Sequence, residues 1–408
     1  MNAPPLSLVL KTAAQAVAAV LGGRTPDALL AQLDPPLRPA VLDLSYSTLR
    51  DHGRGDFLLG RLLAKPLKDK TAHALLLVSL MQLERQPETA HTLVDQAVSA
   101  AGQPWKGLTN AVLRNFQRRR DELLAAAAAD PVAHWRHPQW WLDTLKSAWP
   151  EHWQSIALAG NSHPPMCLRP NTRRPPAELL PGKTLAGGAW LLDAPVPVER
   201  IPGFRAGCIS VQDWGAQQAA TLLDAQPGQR VLDACAAPGG KTAHLLERAD
   251  LEMTALELDP QRARRIGENL ARLGLQAEIR VGDASRPQDW WDARPFDRIL
   301  ADVPCSASGV ARRHPDSKWL RRAADVAGFA QTQARILAAL WPLLAPGGKM
   351  LYCTCSVFPA ENDEQVRAFA ARQPDARRLP TGGAAPGFQL FPTPLHDGFF
   401  YALLEKSP

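Results

Sequence analysis

Two cysteines stand where a nucleophile would be useful: Cys305 in Asp302-Val-Pro-Cys-Ser-Ala-Ser-Gly309, and Cys355 in Thr354-Cys-Ser356. Each follows an apolar run directly and has hydroxyl residues beside it. A single cysteine is more often a small buried hydrophobe than a reactive group. Two of them, both just past a strand-like run, point instead to thiolate chemistry in one shared crevice. The spacing alone leaves open which of the two attacks. Cys353 and Cys235 read as core cysteines. A metal site is disfavoured: Cys353 and Cys355 can share a strand face, but no neighbouring histidine or further cysteine completes four ligands.

A second constellation lies upstream. Asp233-Ala-Cys-Ala-Ala-Pro-Gly-Gly-Lys-Thr242 follows the apolar run Arg230-Val-Leu232 and leads into a helix-like stretch. Glycine lets backbone approach a ligand closely, and ligands of open α/β sheets sit beyond the carboxyl ends of strands. The Gly240-Lys241-Thr242 tail resembles a phosphate-binding loop, but that motif needs a glycine where Cys235 stands. A phosphate cradle is therefore disfavoured. Glu257 ends the next strand-like run, about twenty residues past the glycine turn, which suits the paired hydroxyls of a ribose. Asp283 ends the one after it and can reach an adenine edge. Asp302 ends the fourth. Helix capping explains any one of these acids but explains poorly all three at strand ends. An adenosine-type ligand without phosphates fits, and S-adenosylmethionine is such a ligand.

The elements needed to hold these residues follow from periodicity. From about residue 211 the chain alternates strand and helix. Strands are predicted at 230–235, 253–257, 277–281, 297–302 and 349–353, and a last one at 399–404; helices are predicted at 260–273 and 323–344. That alternation predicts a doubly wound α/β sheet. Residues 1–130 show only helical spacing, at 6–21, 71–81, 96–101 and 108–116, and predict a small all-α bundle. Between them, residues 131–210 begin with five tryptophans from Trp135 to Trp153, read as core or seam packing. They continue into a Pro- and Gly-rich stretch read as a linker and small α+β module. Its segment Met166-Cys-Leu-Arg-Pro-Asn-Thr-Arg-Arg174 offers basic residues for phosphates, while Arg118-Arg119-Arg120 reads as a solvated helix end, with a phosphate-contacting patch as the alternative.

Composition bounds the rest. In 408 residues, a net charge of +6 permits a polyanionic partner without requiring one. Six cysteines with no Cys-x-x-Cys pair give neither a disulfide framework nor a zinc ribbon, so a reduced, cytoplasmic setting is expected. The N-terminus lacks a charged region followed by an apolar core, and no apolar run is long enough to span a bilayer. No membrane association and no metal are expected.

Taken together, the Asp233–Thr242 loop, the Asp302–Gly309 segment and Thr354-Cys-Ser-Val-Phe-Pro-Ala-Glu-Asn362 resemble the RNA 5-methylcytosine methyltransferases of the Sun (Fmu) group. Arg312-Arg-His-Pro-Asp316, Lys318-Trp-Leu-Arg321, Pro202-Gly-Phe204 and Val211-Gln-Asp213 support the resemblance, which is strong over residues 160–408. It implies a Rossmann-like methyltransferase domain over 211–408, preceded by a NusB-like RNA-binding bundle. It also implies methyl transfer from S-adenosylmethionine to C5 of a cytosine in small-subunit rRNA, or of tRNA as the alternative within the same chemistry. A non-catalytic RNA-binding assembly factor is the reading from another class. In the family's pattern Cys355 is the nucleophile that adds to cytosine C6, Asp302 holds the base, and Cys305 serves product release. DNA cytosine methyltransferases use a Pro-Cys nucleophile, which would favour Cys305; the Thr354-Cys355-Ser356 match favours Cys355. The donor would lie against Cys235, Ala236, Ala237, Pro238, Gly239, Gly240, Lys241, Glu257, Asp283 and Asp302. Lys241 would face the donor or the active-site carboxylate. Glu257 replaces an expected aspartate, lengthening the reach to the ribose, and Cys353 replaces a small residue. A monomer is expected.

Overall fold

The Ala-, Val- and Leu-rich start of the chain forms the helix Leu6–Leu21, whose Leu10, Ala13 and Val17 are fully buried. It packs with Lys70–Arg85 and Ala90–Ala100, and Lys106–Arg118 packs against those two helices in turn. Asp69 starts Lys70–Arg85 by accepting the N–H groups of Thr71 and Ala72, two of the donors that a helix start leaves without partners. The helix Arg38–Leu62 was not legible from apolar spacing. Its inward face carries Ser45, Thr48, Asp51 and His52, all buried. Asp51 accepts from Arg136 at 2.8 Å and also pairs with Arg85, while Thr48 donates to the Leu44 carbonyl at 2.7 Å. These polar residues interrupt the apolar stripe that a sequence reading looks for, although Val41, Leu44, Leu49, Leu58 and Leu59 of the same helix are buried too.

This helical unit extends through Trp153–Asn161 and takes in a segment from far along the chain, Ala311–Ala323. Lys318 is fully buried there, and its ammonium donates to the carbonyls of Arg50 and Arg136 at 3.0 and 2.9 Å and to Asn161 Oδ1 at 2.9 Å. Trp319 donates to the Leu49 carbonyl at 2.7 Å and lies edge-on to His52. The tryptophans between 135 and 153 pack among themselves, Trp135 edge-on to Trp153 at 4.7 Å, with Trp141 buried. Arg119 is bound to Glu122 and Arg120 reaches the Glu84 carbonyl, which fits the solvated-end reading of this basic run.

The other unit comprises His163–Val310 and the chain from Ala324. The structure, a computed structural model, describes residues 4–381 and 387–408. A small antiparallel sheet comes first: β1 (Cys167–Pro170), β2 (Gly182–Thr184), β3 (Trp190–Leu192) and β4 (Ile209–Val211), in the order β2-β3-β1-β4. The large sheet holds β5 (Arg230–Asp233), β6 (Glu252–Glu257), β7 (Glu278–Val281), β8 (Phe296–Asp302), β9 (Leu344–Thr354), β10 (Ala376–Leu379), β11 (Phe388–Leu390) and β12 (Phe399–Lys406). Its order is β10-β12-β9-β8-β5-β6-β7, with β11 on β12. The five strands from β5 to β9 run parallel, and β12 pairs antiparallel with β9.

The expected doubly wound α/β sheet is present. Alternate residues of each central strand feed opposite layers. Leu232, Ile299 and Met350 pack with Ile336, Leu337 and Phe369, whereas Val231, Leu300 and Leu351 pack with Leu245, Ile266 and Leu270. Within this unit the basic segment 166–174 is not free for phosphates at its centre. Arg169 is buried in a two-pronged pair with Glu247, at 2.8 Å on both prongs, and also donates to the Gly240 carbonyl at 2.9 Å. Arg173 pairs with Asp250 at 2.7 Å. Phosphate contact is withdrawn for Arg169, because a guanidinium enclosed with its carboxylate has no donor left facing solvent.

Candidate active site

The chain winds outward from β5 through β6 to β7, then crosses back to β8 and β9. The reversal falls between β5 and β8, and the crevice past their carboxyl ends is where such sheets place ligands. A cavity of about 560 Å³ lies there, lined by residues that include Cys235, Ala237, Glu257, Asp283, Asp302, Cys305 and Cys355.

The loop after β5 is held from below. Asp233 is buried, and its carboxyl is pushed up to about 7 by that burial, against the opposing hydrogen bond from the Thr242 hydroxyl at 2.6 Å. Gly239 sits at φ +91°, where a side chain would be strained and its Cβ would stand 3.1 Å from Ile266. The helix Gly240–Arg248 starts immediately after it. Cys235 lines the cavity, and burial holds its thiol protonated by raising its pKa well above the ordinary range. Glu257 is fixed by two backbone donors, Ala237 N–H at 3.2 Å and Asp259 N–H at 3.1 Å, one on each oxygen. Asp283 accepts the N–H and hydroxyl of Ser285 on one oxygen, at 2.8 and 2.7 Å.

Lys241 ends the loop with its ammonium hydrogen-bonded to Asp302 Oδ2. Burial works against its charge, but Asp302 outweighs this and raises the pKa above its ordinary value. The other Asp302 oxygen accepts from the Cys353 thiol at 3.4 Å. The carboxylate is thus held between a cation and a thiol at the floor of the crevice. Beside it, Cys305 Sγ and Cys355 Sγ are 3.3 Å apart. The hydrogen bond with Cys355, together with burial, pushes the Cys305 thiol up.

The two cysteine loops also meet through backbone. Gly309 N–H donates to the Cys355 carbonyl and Gly398 N–H to the Gly309 carbonyl, both at 2.9 Å. A Cβ on Gly309 would lie 2.3 Å from the Gly398 oxygen and 3.0 Å from the Cys355 oxygen. Gly309→Ala is therefore expected to cost about 1–3 kcal/mol, read by urea unfolding, and to slow turnover by displacing Cys355.

Comparison with known proteins identifies the family. The family model described as 16S rRNA methyltransferase RsmB/F matches residues 220–405, a ferredoxin-like domain of RsmF/B-like methyltransferases matches 137–179, and the NusB family matches 10–118. A ribosomal RNA small subunit methyltransferase B of Pseudomonas putida is 46% identical over 424 residues, covering 97% of each chain. The chain belongs to the RsmB/F family of 16S rRNA methyltransferases. It is a methyltransferase. A protein of the same description from Cronobacter sakazakii is 45% identical, covering 91% of this chain and 93% of its own. The crystal structure of a methyltransferase homologue from Pyrococcus horikoshii aligns at 28% identity and a TM-score of 0.58, over 67% of this chain and 97% of that one.

Of the residues expected from sequence, Cys235, Ala237, Glu257, Asp283, Asp302, Cys305 and Cys355 line the crevice in this RsmB/F-family chain, whereas Ala236, Pro238, Gly239 and Gly240 do not line it and Lys241 reaches it only through Asp302. Two residues beside them had no part in that reading. Cys353, taken there as core, donates to Asp302. Glu361, quoted only as part of a motif, receives hydrogen bonds from the residues that follow both site cysteines. The paired Cys-Ser steps at 305–306 and 355–356 were the available signal for it. Among the described residues, no group of three or more His, Cys, Asp or Glu side chains is arranged to hold a metal, and no helix is long and apolar enough to cross a membrane.

Proposed function

We propose that this RsmB/F-family methyltransferase uses S-adenosylmethionine to methylate C5 of a cytosine in small-subunit rRNA through a covalent Cys355–C6 adduct. The observation that carries the reading is the 3.3 Å contact of two thiols on the same cavity as three strand-end acids.

An adenosine-type ligand fits the crevice. Its volume of about 560 Å³ lies within the ordinary range for such sites. Gly239 allows close backbone approach, Glu257 suits a ribose, and Asp283 suits an adenine edge. When bound, S-adenosylmethionine supplies a sulfonium methyl to a carbon nucleophile. The chain's task is to make cytosine C5 nucleophilic, since the aromatic carbon is not. The Cys355 thiolate forms an S–C6 bond, and the C5–C6 π electrons become available at C5. Asp302, fixed by Lys241 and Cys353, holds the N3/N4 edge and stabilises charge building on the ring. Once C5 is methylated its proton passes to a base, the C5–C6 double bond re-forms, and the S–C6 bond breaks. We assign this release to Cys305. Its sulfur lies 3.3 Å from that of Cys355, beside the S–C6 bond that must break.

The target base must leave its stack to enter the pocket. We assign the holding of flanking RNA to the helical residues matched by the NusB family and to the small module. The full-length curated relatives are named for small-subunit rRNA, which favours that RNA. We take the chain to act as a cytoplasmic monomer. The test is transfer from labelled S-adenosylmethionine to small-subunit rRNA and to tRNA, with mapping of the product base. We expect 5-methylcytosine in the rRNA. Label only in tRNA, or at another atom, overturns the proposal.

A further inference from the structure

Glu361 is completely buried, yet its hydrogen bonds come from neutral donors. One carboxylate oxygen accepts the Ser306 N–H at 2.7 Å and the Gln333 amide at 3.4 Å. The other accepts the Ser306 hydroxyl at 2.5 Å and the Ser356 hydroxyl at 2.6 Å. The residue is anchored at its own backbone by the Tyr352 hydroxyl, 2.6 Å from its carbonyl. Burial pushes its carboxyl up. Burying a carboxylate without a cation is costly in a core that apolar residues could fill. What the carboxylate does there must be local.

Its two hydroxyl partners explain it. Ser306 follows Cys305 and Ser356 follows Cys355, so one carboxylate grips both cysteine-bearing loops at the next residue. The serines are also linked to each other, Ser306 to Ser356 at 3.3 Å and, through Ser308, Ser308 to Ser356 at 2.9 Å. The Ser308 hydroxyl accepts the Val357 N–H at 2.9 Å, and the Ser356 hydroxyl accepts the Phe358 N–H at 3.0 Å. Five polar side chains, Glu361, Ser306, Ser308, Ser356 and Gln333, all buried, thus form one connected cluster at the residues that follow the two cysteines. Such a cluster is rigid when satisfied and costly when broken.

We infer that Glu361 is a positioning residue for methyl transfer, holding Cys305 and Cys355 in thiol contact through Ser306 and Ser356. It touches neither substrate nor donor. The inference rests on the reading of Cys355 as nucleophile, and its test must fail separately from that reading. In the full chain, Glu361→Asp shortens the arm and cannot reach both serines; Glu361→Gln keeps the arm, and its amide can still bond both hydroxyls. For Glu361→Asp we expect kcat to fall about a hundredfold, the scale of a 1 Å misplacement, with KM for donor and rRNA unchanged. Glu361→Gln should recover most of that loss. A merely structural role would instead lower Tm and leave kcat per folded molecule intact, and that result overturns the inference. If Glu361→Asp does not fold, Ser306→Ala and Ser356→Ala replace it, each expected to lower kcat alone; full activity in both overturns the inference equally. Activity remaining in Cys355→Ala would sink the nucleophile reading itself. Loss there with a fully active Glu361→Asp would sink only the positioning role.

Discussion

Cys355→Ala is expected to abolish methyl transfer, by about 10⁴-fold or more on the scale of removing a covalent nucleophile, while donor binding survives. Cys305→Ala is expected to fail later, with RNA attached to the protein and visible as a denaturant-resistant shift on a gel. The two thiols are 3.3 Å apart on one cavity, so both can reach the same base. What separates them is their support. Cys305 follows Pro304 in the segment after β8, and its thiol is pushed up by its hydrogen bond with Cys355 and by burial. Cys355 follows directly after the long β9, in the Thr354-Cys355-Ser356 step, with its carbonyl fixed by the Gly309 N–H. Without Cys355 no S–C6 bond forms and nothing accumulates. Without Cys305 the bond forms and its release is impaired. An adduct in Cys355→Ala, with none in Cys305→Ala, would reverse the assignment.

Arg169→Met should be among the most destabilising single changes in the sheet unit, by about 3–5 kcal/mol, because it leaves a buried anion without its cation. The Arg169 and Glu247 side chains are 4% and 1% exposed, so water cannot take over. The double variant Arg169→Met with Glu247→Leu should recover much of the loss, since replacing a whole buried pair with apolar residues is often close to neutral. Urea unfolding of the two variants measures this, and equal losses in both would contradict it. The effect should extend to the donor. Arg169 also bonds the carbonyl of Gly240, so the single variant is expected to raise KM for S-adenosylmethionine more than KM for RNA.

The central sheet was legible because parallel strands covered on both faces read as apolar runs, and their ends carry the acids and cysteines that a ligand needs. The small glycine loop and both site cysteines could be placed from spacing alone. The edge strands β10 and β11 could not. β10 carries Arg377 and Arg378, which face partners such as Glu405 and Asp363 and hide the strand among polar residues. Arg38–Leu62 escaped notice because its buried face is partly polar. Glu361 was invisible for a different reason. A lone carboxylate in a loop has no meaning until folding brings Ser306 and Ser356, 50 residues apart, onto its two oxygens. Arg169 misled for the converse reason: its basic run suggested phosphate, and its partner Glu247 lies 78 residues away.

Modular proteins are ordinarily recombined by one cut in an exposed linker. This chain does not permit that. The segment Ala311–Ala323 leaves the sheet unit to pack in the helical one and then returns. A break after Ser162 would strand Lys318 and Trp319 with the sheet, and would leave the carbonyls of Leu49, Arg50 and Arg136 without the donors that fill them. The helical unit and the sheet unit are therefore joined by three passages of the chain. Inheritance can trade one for another only if the thirteen-residue excursion Ala311–Ala323 is rewritten with it.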